Sequence, residues 1–131
     1  CIRLSPRYTV PPRLGRRQVF AMPAATAPGP VSVVCRYVVK PGHEQDFAGL
    51  LGRHWKTLHA SGLVTDTPAR IRKCVDQRGR NAFIEEFSWK GAQSAGIAHS
   101  TPAVMQMWEP MGAYCSDMEF WHAQEVDAAQ P

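Results

Sequence analysis

Residues 31–60, VSVVCRYVVKPGHEQDFAGLLGRHWKTLHA, carry the pattern that decides the fold. At their start, the side chains from Val33 to Val39 alternate between two faces, which predicts a β-strand over residues 31–40. Pro41-Gly42 ends this strand, and apolar residues then recur at helical spacing. The stretch therefore predicts a strand that is partly apolar on both faces, followed directly by an amphipathic helix.

The helix is predicted over residues 43–60 and has a single apolar face. Glu44 and Asp46 lie in its first turn, where the helix dipole favours negative charge. Gly62 is suited to cap its C-terminus. The face that we expect to be buried combines aliphatic, aromatic and histidine side chains: Phe47, Leu50, Leu51, His54, Trp55 and Leu58.

Periodicity and turn residues place five further elements along the chain. They are a strand over residues 70–77, a strand over 82–89, a short helix over 90–99, a helix over 102–113 and a strand over 116–126. Ser100-Thr101 precede the second long helix as its N-cap, and Pro110 is expected to kink or shorten that helix. The order predicts an α+β, ferredoxin-like βαββαβ fold with a four-stranded antiparallel sheet.

The helices of such a fold cover one face of the sheet and leave the other open. The open face here still carries large apolar groups, which favours a partner surface. Face-to-face packing of two sheets meets this need in the simplest symmetric way, so we expect a homodimer through the sheet faces.

The formal charge of +4 belongs to one end of the chain. Residues 1–30 hold five arginines, no acidic residue and six of the eleven prolines, whereas residues 31–131 hold ten Lys/Arg against eleven Asp/Glu. We interpret residues 1–30 as a disordered leader or non-native extension, with Met22 as a candidate initiator. The folded domain is predicted over residues 31–126, and residues 127–131 as a frayed tail.

This distribution excludes several classes of protein. A domain without a basic face does not favour nucleic-acid binding, and no apolar run of 18 residues exists to span a membrane. The four cysteines show no CxxC pair and no zinc spacing, so free thiols in a reducing cytoplasm are expected, with a disulfide pair as the alternative. No phosphate loop, GxSxG or HExxH motif appears, and neither a metal nor a cofactor is expected.

Five segments together resemble a known family: VSVVCRYVVKPG, FAGLLGRHW, AFIEEFSW, STPAVMQMWEPM and MEFWH. Over about residues 31–125 the chain resembles the antibiotic biosynthesis monooxygenase (ABM) domains of the dimeric α/β barrel superfamily. The resemblance implies a homodimer with a pocket between sheet and helices in each subunit. For active members it also implies oxygenation of aromatic polyketides without metal or flavin.

Two functions therefore compete. The first is a cofactor-independent monooxygenase that acts on a small aromatic compound, with His54 and His99 as catalytic, proton-handling groups. The second is a non-catalytic homodimer, structural or binding a small molecule, in which both histidines belong to the core or to packing between helices. Residues that would contact an apolar or aromatic substrate are Trp55, Glu85, Trp108, Met111 and Tyr114.

Glu85 is the unusual residue of its strand, because it shares a face with Phe83, Phe87 and Trp89. A carboxylate on a buried apolar face needs a partner. Glu85 is therefore either an acid of the pocket or half of an ion pair with Arg36 or Arg72, and the ion pair is the interpretation that we favour.

Overall fold

A computed structural model of the protein describes residues 29–128. Its elements in chain order are β1 (Val31–Val39), α1 (Glu44–Ala60), β2 (Arg70–Val75), β3 (Asn81–Trp89), α2 (Ser94–Ala98), α3 (Pro102–Tyr114) and β4 (Cys115–His122). The four strands form one antiparallel sheet in the order β2-β3-β1-β4. This is the predicted ferredoxin-like α+β arrangement.

The first strand lies in the middle of the sheet because it pairs with both β3 and β4. Cys35 is opposite Glu85 on one side and Phe120 on the other, so these three side chains share a face. Along β3 the residues predicted to share this face, from Phe83 to Trp89, are buried. The alternation read from the sequence is thus confirmed in both strands.

Both long helices cover this face of the sheet. In α1 the buried side chains are Phe47, Leu51, His54 and Leu58, which recur at the spacing that keeps them on one side of a helix. In α3 they are Val104, Trp108 and Met111. The ring of Phe47 packs against Tyr37 and Phe83 with centroids 5.1 and 5.5 Å away, which seats α1 on β1 and β3.

The second long helix differs from its prediction at both ends. Pro102 occupies the first turn as expected, but the Thr101 hydroxyl donates to the carbonyl of Ile97 instead of capping the helix. Pro110 does not shorten the helix, which continues to Tyr114. Burial of Trp108 and Met111 on either side of the proline holds this turn against the core.

Two segments differ from their predictions: the last strand is shorter than expected, and the loop before β2 is more buried. The last strand ends at His122, four residues early, because the Ala123 N–H bonds to Ser32 near the start of β1 and little of its partner strand remains. In the loop before β2, Leu63 and Val64 are buried, and Val64 bridges to Trp89. This loop therefore belongs partly to the sheet and the core.

The face of the sheet away from the helices is open in the single chain and carries separated charges. On β2, Arg70 and Arg72 point to this face, and on β4 at the opposite edge Asp117 and Glu119 do so. Trp121, 47% exposed, adds apolar surface. We call these residues, with the open-face residues of β1 and β3 between them, the open sheet face.

No helix in the described part of the chain is long and apolar enough to cross a membrane. The cysteines in the same part, Cys35, Cys74 and Cys115, are free thiols, as expected, although Cys74 is only half-buried. Residues 1–28 and 129–131 lie outside the described residues, and with them most of the predicted leader and part of the predicted tail.

Neighbouring substitutions in α1 should separate burial from helix propensity. Leu51→Ala removes a buried side chain, so the free energy of unfolding should fall by about 2–5 kcal/mol. Gly52→Ala adds a methyl group that meets nothing within 4 Å on an exposed position, so the protein should gain about 0.5–1 kcal/mol. Urea unfolding followed by circular dichroism measures both, and equal effects would contradict this placement of α1.

The β2–β3 hairpin should make stability depend on acid. The Asp76 carboxylate accepts hydrogen bonds from the backbone N–H groups of Arg80 and Arg78, at 2.9 Å each, and from Nε of Arg80. These contacts, the Arg80 backbone bond foremost, hold the pKa of Asp76 below its ordinary value. The stabilisation is therefore present above the unfolded pKa of about 4 and lost as pH falls through the folded value.

We expect Asp76→Asn to lower the urea midpoint at pH 7 and to reduce the loss of stability between about pH 5 and pH 2, a range that contains the unfolded pKa. Glu125→Gln, in the exposed segment after β4, is the matched control and should leave both unchanged. An Asp76→Asn midpoint equal to wild type at pH 7 would show that the hairpin contacts contribute nothing.

Candidate functional site

Glu85 lies at the centre of the site, on the covered face of β3 and fully buried. Its carboxylate accepts a hydrogen bond from the Tyr37 hydroxyl at 2.7 Å and contacts Nδ1 of His54 at 2.9 and 3.0 Å. Strand pairing places Tyr37 close by on β1, and helix α1 carries His54 over the sheet. Three elements thus converge on one carboxylate.

His54 is 1% exposed, and both of its ring nitrogens have partners. Nε2 lies 2.8 Å from Nε1 of Trp108, and an indole nitrogen is only a donor. Nε2 must therefore be the acceptor, and the ring proton sits on Nδ1, from which it is donated to Glu85. The contacts assign a neutral imidazole in the Nδ1–H tautomer.

The resulting chain of hydrogen bonds runs from Trp108 through His54 to Glu85, with Tyr37 as a second donor to the carboxylate. We call these four residues the buried polar chain. Both Glu85 oxygens serve as acceptors in this chain, and Nε2 of His54 is the acceptor for the Trp108 indole. Glu85 is thus held by hydrogen bonds from two neutral groups, the Tyr37 hydroxyl and the His54 imidazole.

Burial, and for Tyr37 and Cys35 the proximity of Glu85, shift the pKa values of neighbouring groups. Burial, followed by the repulsion of nearby Cys35 and Glu85, raises the pKa of Tyr37, which keeps the phenol protonated as a donor. Burial and Glu85 likewise raise the pKa of the Cys35 thiol. Burial raises the pKa of Cys115 to about 12. Neither thiol is therefore activated as a nucleophile at neutral pH.

The second predicted catalytic histidine, His99, reaches the site through Trp108. It ends α2, is half-buried, and its ring meets the Trp108 indole edge to face with centroids 5.0 Å apart. The indole thus lies between the two histidines, on the side of His54 opposite Glu85. The structure brings four predicted site residues together: His54, Glu85, Trp108 and His99.

The other three predicted residues lie outside this group. Trp55 stacks on His59 with centroids 4.6 Å apart and is only half-buried, because it is one position beyond His54 on α1. Tyr114 stacks on His43 at 5.0 Å, at the far end of α3. Met111 is fully buried in the main core, one turn after Trp108.

The favoured ion pair of Glu85 with Arg36 or Arg72 was wrong. Both arginines lie on the open sheet face, because they alternate with the residues that face the helices. Arg36 instead contacts Asp117 at 3.2 Å and Glu119 at 3.5 Å, and Arg72 contacts Glu86 at 3.2 Å.

Sequence reasoning missed Tyr37 and Phe87 as neighbours of the site. The alternation predicted from Val33 to Val39 puts Tyr37 on the same face as Cys35, but its distance to Glu85 depends on the register with β3. Phe87 packs edge to face on His54 at 5.9 Å, two residues along β3 from Glu85. The sequence signal for Phe87 was its place in β3: Phe83, Glu85 and Phe87 are every second residue and therefore share the face that the helices cover.

This arrangement suits proton transfer better than metal chemistry. A carboxylate that holds the Nδ1–H of a histidine leaves Nε2 as the basic nitrogen and stabilises the imidazolium that forms when Nε2 takes a proton. Among residues 29–128, no group of three or more His, Cys, Asp or Glu side chains is placed to hold a metal ion.

Comparison with known proteins shows similarity in structure alone. No protein-family model matches the chain, and no curated protein matches it. The cofactor-independent oxygenase SnoaB from Streptomyces nogalater superposes with a TM-score of 0.56 and 14% identity, over 75% of this chain and 96% of that chain. A Bordetella bronchiseptica protein assigned as an antibiotic biosynthesis monooxygenase gives 0.57 and 16%, over 75% and 98%.

The same fold also occurs without a known reaction. A conserved Bacteroides thetaiotaomicron protein of unknown function gives a TM-score of 0.58 at 9% identity, over 74% of this chain and 100% of that chain. At such identities the likeness establishes the fold and leaves the chemistry to the residues of the site. The chain has the ferredoxin-like α+β fold of antibiotic biosynthesis monooxygenase domains.

Proposed function

We propose that the protein is a cofactor-independent monooxygenase that acts on a small, electron-rich aromatic compound. The observation that carries this proposal is the Glu85–His54 contact, which fixes the imidazole tautomer and directs the basic Nε2 toward α3. In this fold the proteins with a named reaction include a cofactor-independent oxygenase, which supports the assignment by analogy.

The reaction begins with proton transfer from a substrate hydroxyl to Nε2 of His54. Glu85 stabilises the imidazolium through Nδ1–H, and Tyr37 holds Glu85 in place. The electron-rich anion then reacts with O₂, and the substrate supplies all of the electrons that reduce both oxygen atoms, so no external reductant is consumed. A ring C–H becomes a carbonyl, one oxygen atom enters the product and the other leaves as water, so a phenol yields a quinone.

Oxygen consumption with a panel of hydroxynaphthalenes tests this proposal. We expect O₂ uptake equal to quinone formed, and a loss of about 10²–10⁴-fold in kcat/KM for His54→Gln, since removal of a general base has this size of effect. His122→Gln, an exposed histidine on β4, is the matched control and should retain wild-type activity. Uptake that survives His54→Gln would remove His54 from the mechanism.

A second candidate, a non-catalytic binding protein, is favoured by a specific observation. Both ring nitrogens of His54 and both oxygens of Glu85 already have partners inside the chain, and both side chains are at most 1% exposed. A fully bonded polar chain is also what a structural core requires. Ligand binding by calorimetry without O₂ uptake would select this candidate.

We also propose that two copies pair through the open sheet face. The two edges of this face carry opposite net charges. The β2 edge has one positive charge, from Arg70 and Arg72 together with Glu86. The β4 edge has one negative charge, from Asp117 and Glu119 together with Arg36. A two-fold axis parallel to the strands lays β2 of one copy over β4 of the other. The two edges then attract each other.

Charge reversal tests this pairing. Arg70→Glu with Arg72→Glu, and separately Asp117→Lys with Glu119→Lys, should each raise the dimer dissociation constant by about tenfold or more, because like charges then face each other. An equimolar mixture of the two variants should regain the dimer, since both edges become complementary. Sedimentation velocity measures all three samples.

The control is Arg53→Glu with Lys56→Glu, which makes the same charge change on the exposed side of α1 and should leave the dimer intact. A monomeric wild-type protein, or variants that remain dimeric alone, would contradict the arrangement. Circular dichroism confirms that each variant is folded before its association is measured.

A further inference from the structure

The Trp108 indole is hydrogen-bonded to Nε2 of His54, the one atom on which the proposed chemistry depends. Its Nε1 lies 2.8 Å from Nε2 of His54, so the indole N–H fills the lone pair that would take a proton. A protonated Nε2 and the indole N–H would be two donors facing each other. The contact and the protonated histidine therefore exclude one another.

We propose that Trp108 masks His54, and that a ligand binds by replacing the indole N–H with an aromatic hydroxyl on Nε2. The inference rests on the proposed function only in that His54 is taken as the group that meets the ligand. Exchange of one neutral donor for another leaves Nε2 with one hydrogen bond, as it has in the free protein.

The surroundings of the indole define the ligand class. The indole meets the ring of His99 edge to face at 5.0 Å, and the imidazole that it contacts is itself packed against Phe87 at 5.9 Å. The place is thus shaped for a flat, bicyclic aromatic group with one donor at its edge. A planar hydroxylated bicyclic compound has the shape and the single donor that the indole presents.

Unmasking is coupled to proton transfer. Once a ligand hydroxyl replaces the indole, its proton moves along the same hydrogen bond to Nε2, which places an imidazolium between two anions, the Glu85 carboxylate and the ligand oxyanion. The proton that leaves the ligand is the proton that His54 gains. Trp108 thereby keeps the base neutral until an aromatic hydroxyl displaces it.

Two probes that differ only in the donor test the inference. They are 2-naphthol and 2-methoxynaphthalene, whose affinities are measured by calorimetry on wild type and Trp108→Phe. Phenylalanine keeps a ring but removes the N–H, so the variant should bind 2-naphthol about 2- to 13-fold more tightly, the range that a single net hydrogen bond gives. Binding of the methyl ether should not gain in the same way.

Trp121→Phe, on the open sheet face, is the matched control and should leave the ratio of the two affinities unchanged. If Trp108→Phe bound both probes more tightly by the same factor, the substitution would act by making space and not by removing the N–H. If its affinity for 2-naphthol did not rise, the indole would not mask His54. Either result overturns the proposal.

A measurement on the wild-type protein covers the case in which Trp108→Phe does not fold. Nitrogen-15 NMR should show the Nδ1–H tautomer of His54 in the free protein, and saturating 2-naphthol should shift the Trp108 indole resonance more than the methyl ether does. An Nε2–H tautomer, or an indole resonance that 2-naphthol leaves unchanged, would overturn the inference.

These readouts separate the mask from the proposed enzyme. Selective binding of 2-naphthol without O₂ uptake supports the mask and removes the oxygenase. O₂ uptake that depends on His54, with an unchanged affinity ratio in Trp108→Phe, supports the oxygenase and removes the mask.

Discussion

The buried carboxylate of Glu85 is the constraint on which the interior depends. A carboxylate placed in an apolar core is costly unless donors surround it, and here Tyr37 and His54 supply those donors. His54 in turn receives the Trp108 N–H. Because these side chains come from β1, α1 and α3, one carboxyl group on β3 ties both long helices to the sheet.

The same contacts give the protein its chemical capacity. A carboxylate behind a neutral histidine prepares one nitrogen to accept a proton. The Phe87 ring packs on that histidine, and the His99 ring packs on the indole that contacts it. A purely structural network would satisfy the same atoms, which is why the two proposed functions share their residues. They differ in whether the Trp108 contact opens to a ligand.

Much of the architecture was readable in the chain. Alternation in β1 and β3, the helical spacing from Phe47 to Leu58 and the proline at the start of α3 predicted the element order and the buried faces. The partner of Glu85 was predicted wrongly, since Arg36 and Arg72 proved to lie on the opposite face. Trp55 was predicted at the site because helical spacing defines a broad face and does not resolve its edges, and Tyr114 because it clusters in sequence with Trp108 and Met111.

The sequence by itself determined which residues face the interior, because side-chain direction follows from the local periods of strand and helix. It also determined that Glu85 needs a polar partner. Only the tertiary structure decided that this partner is His54, and that Trp108 closes the other side of the ring. Those contacts depend on strand register and on how α1 and α3 pack across the sheet, and both are set by residues far apart in the chain.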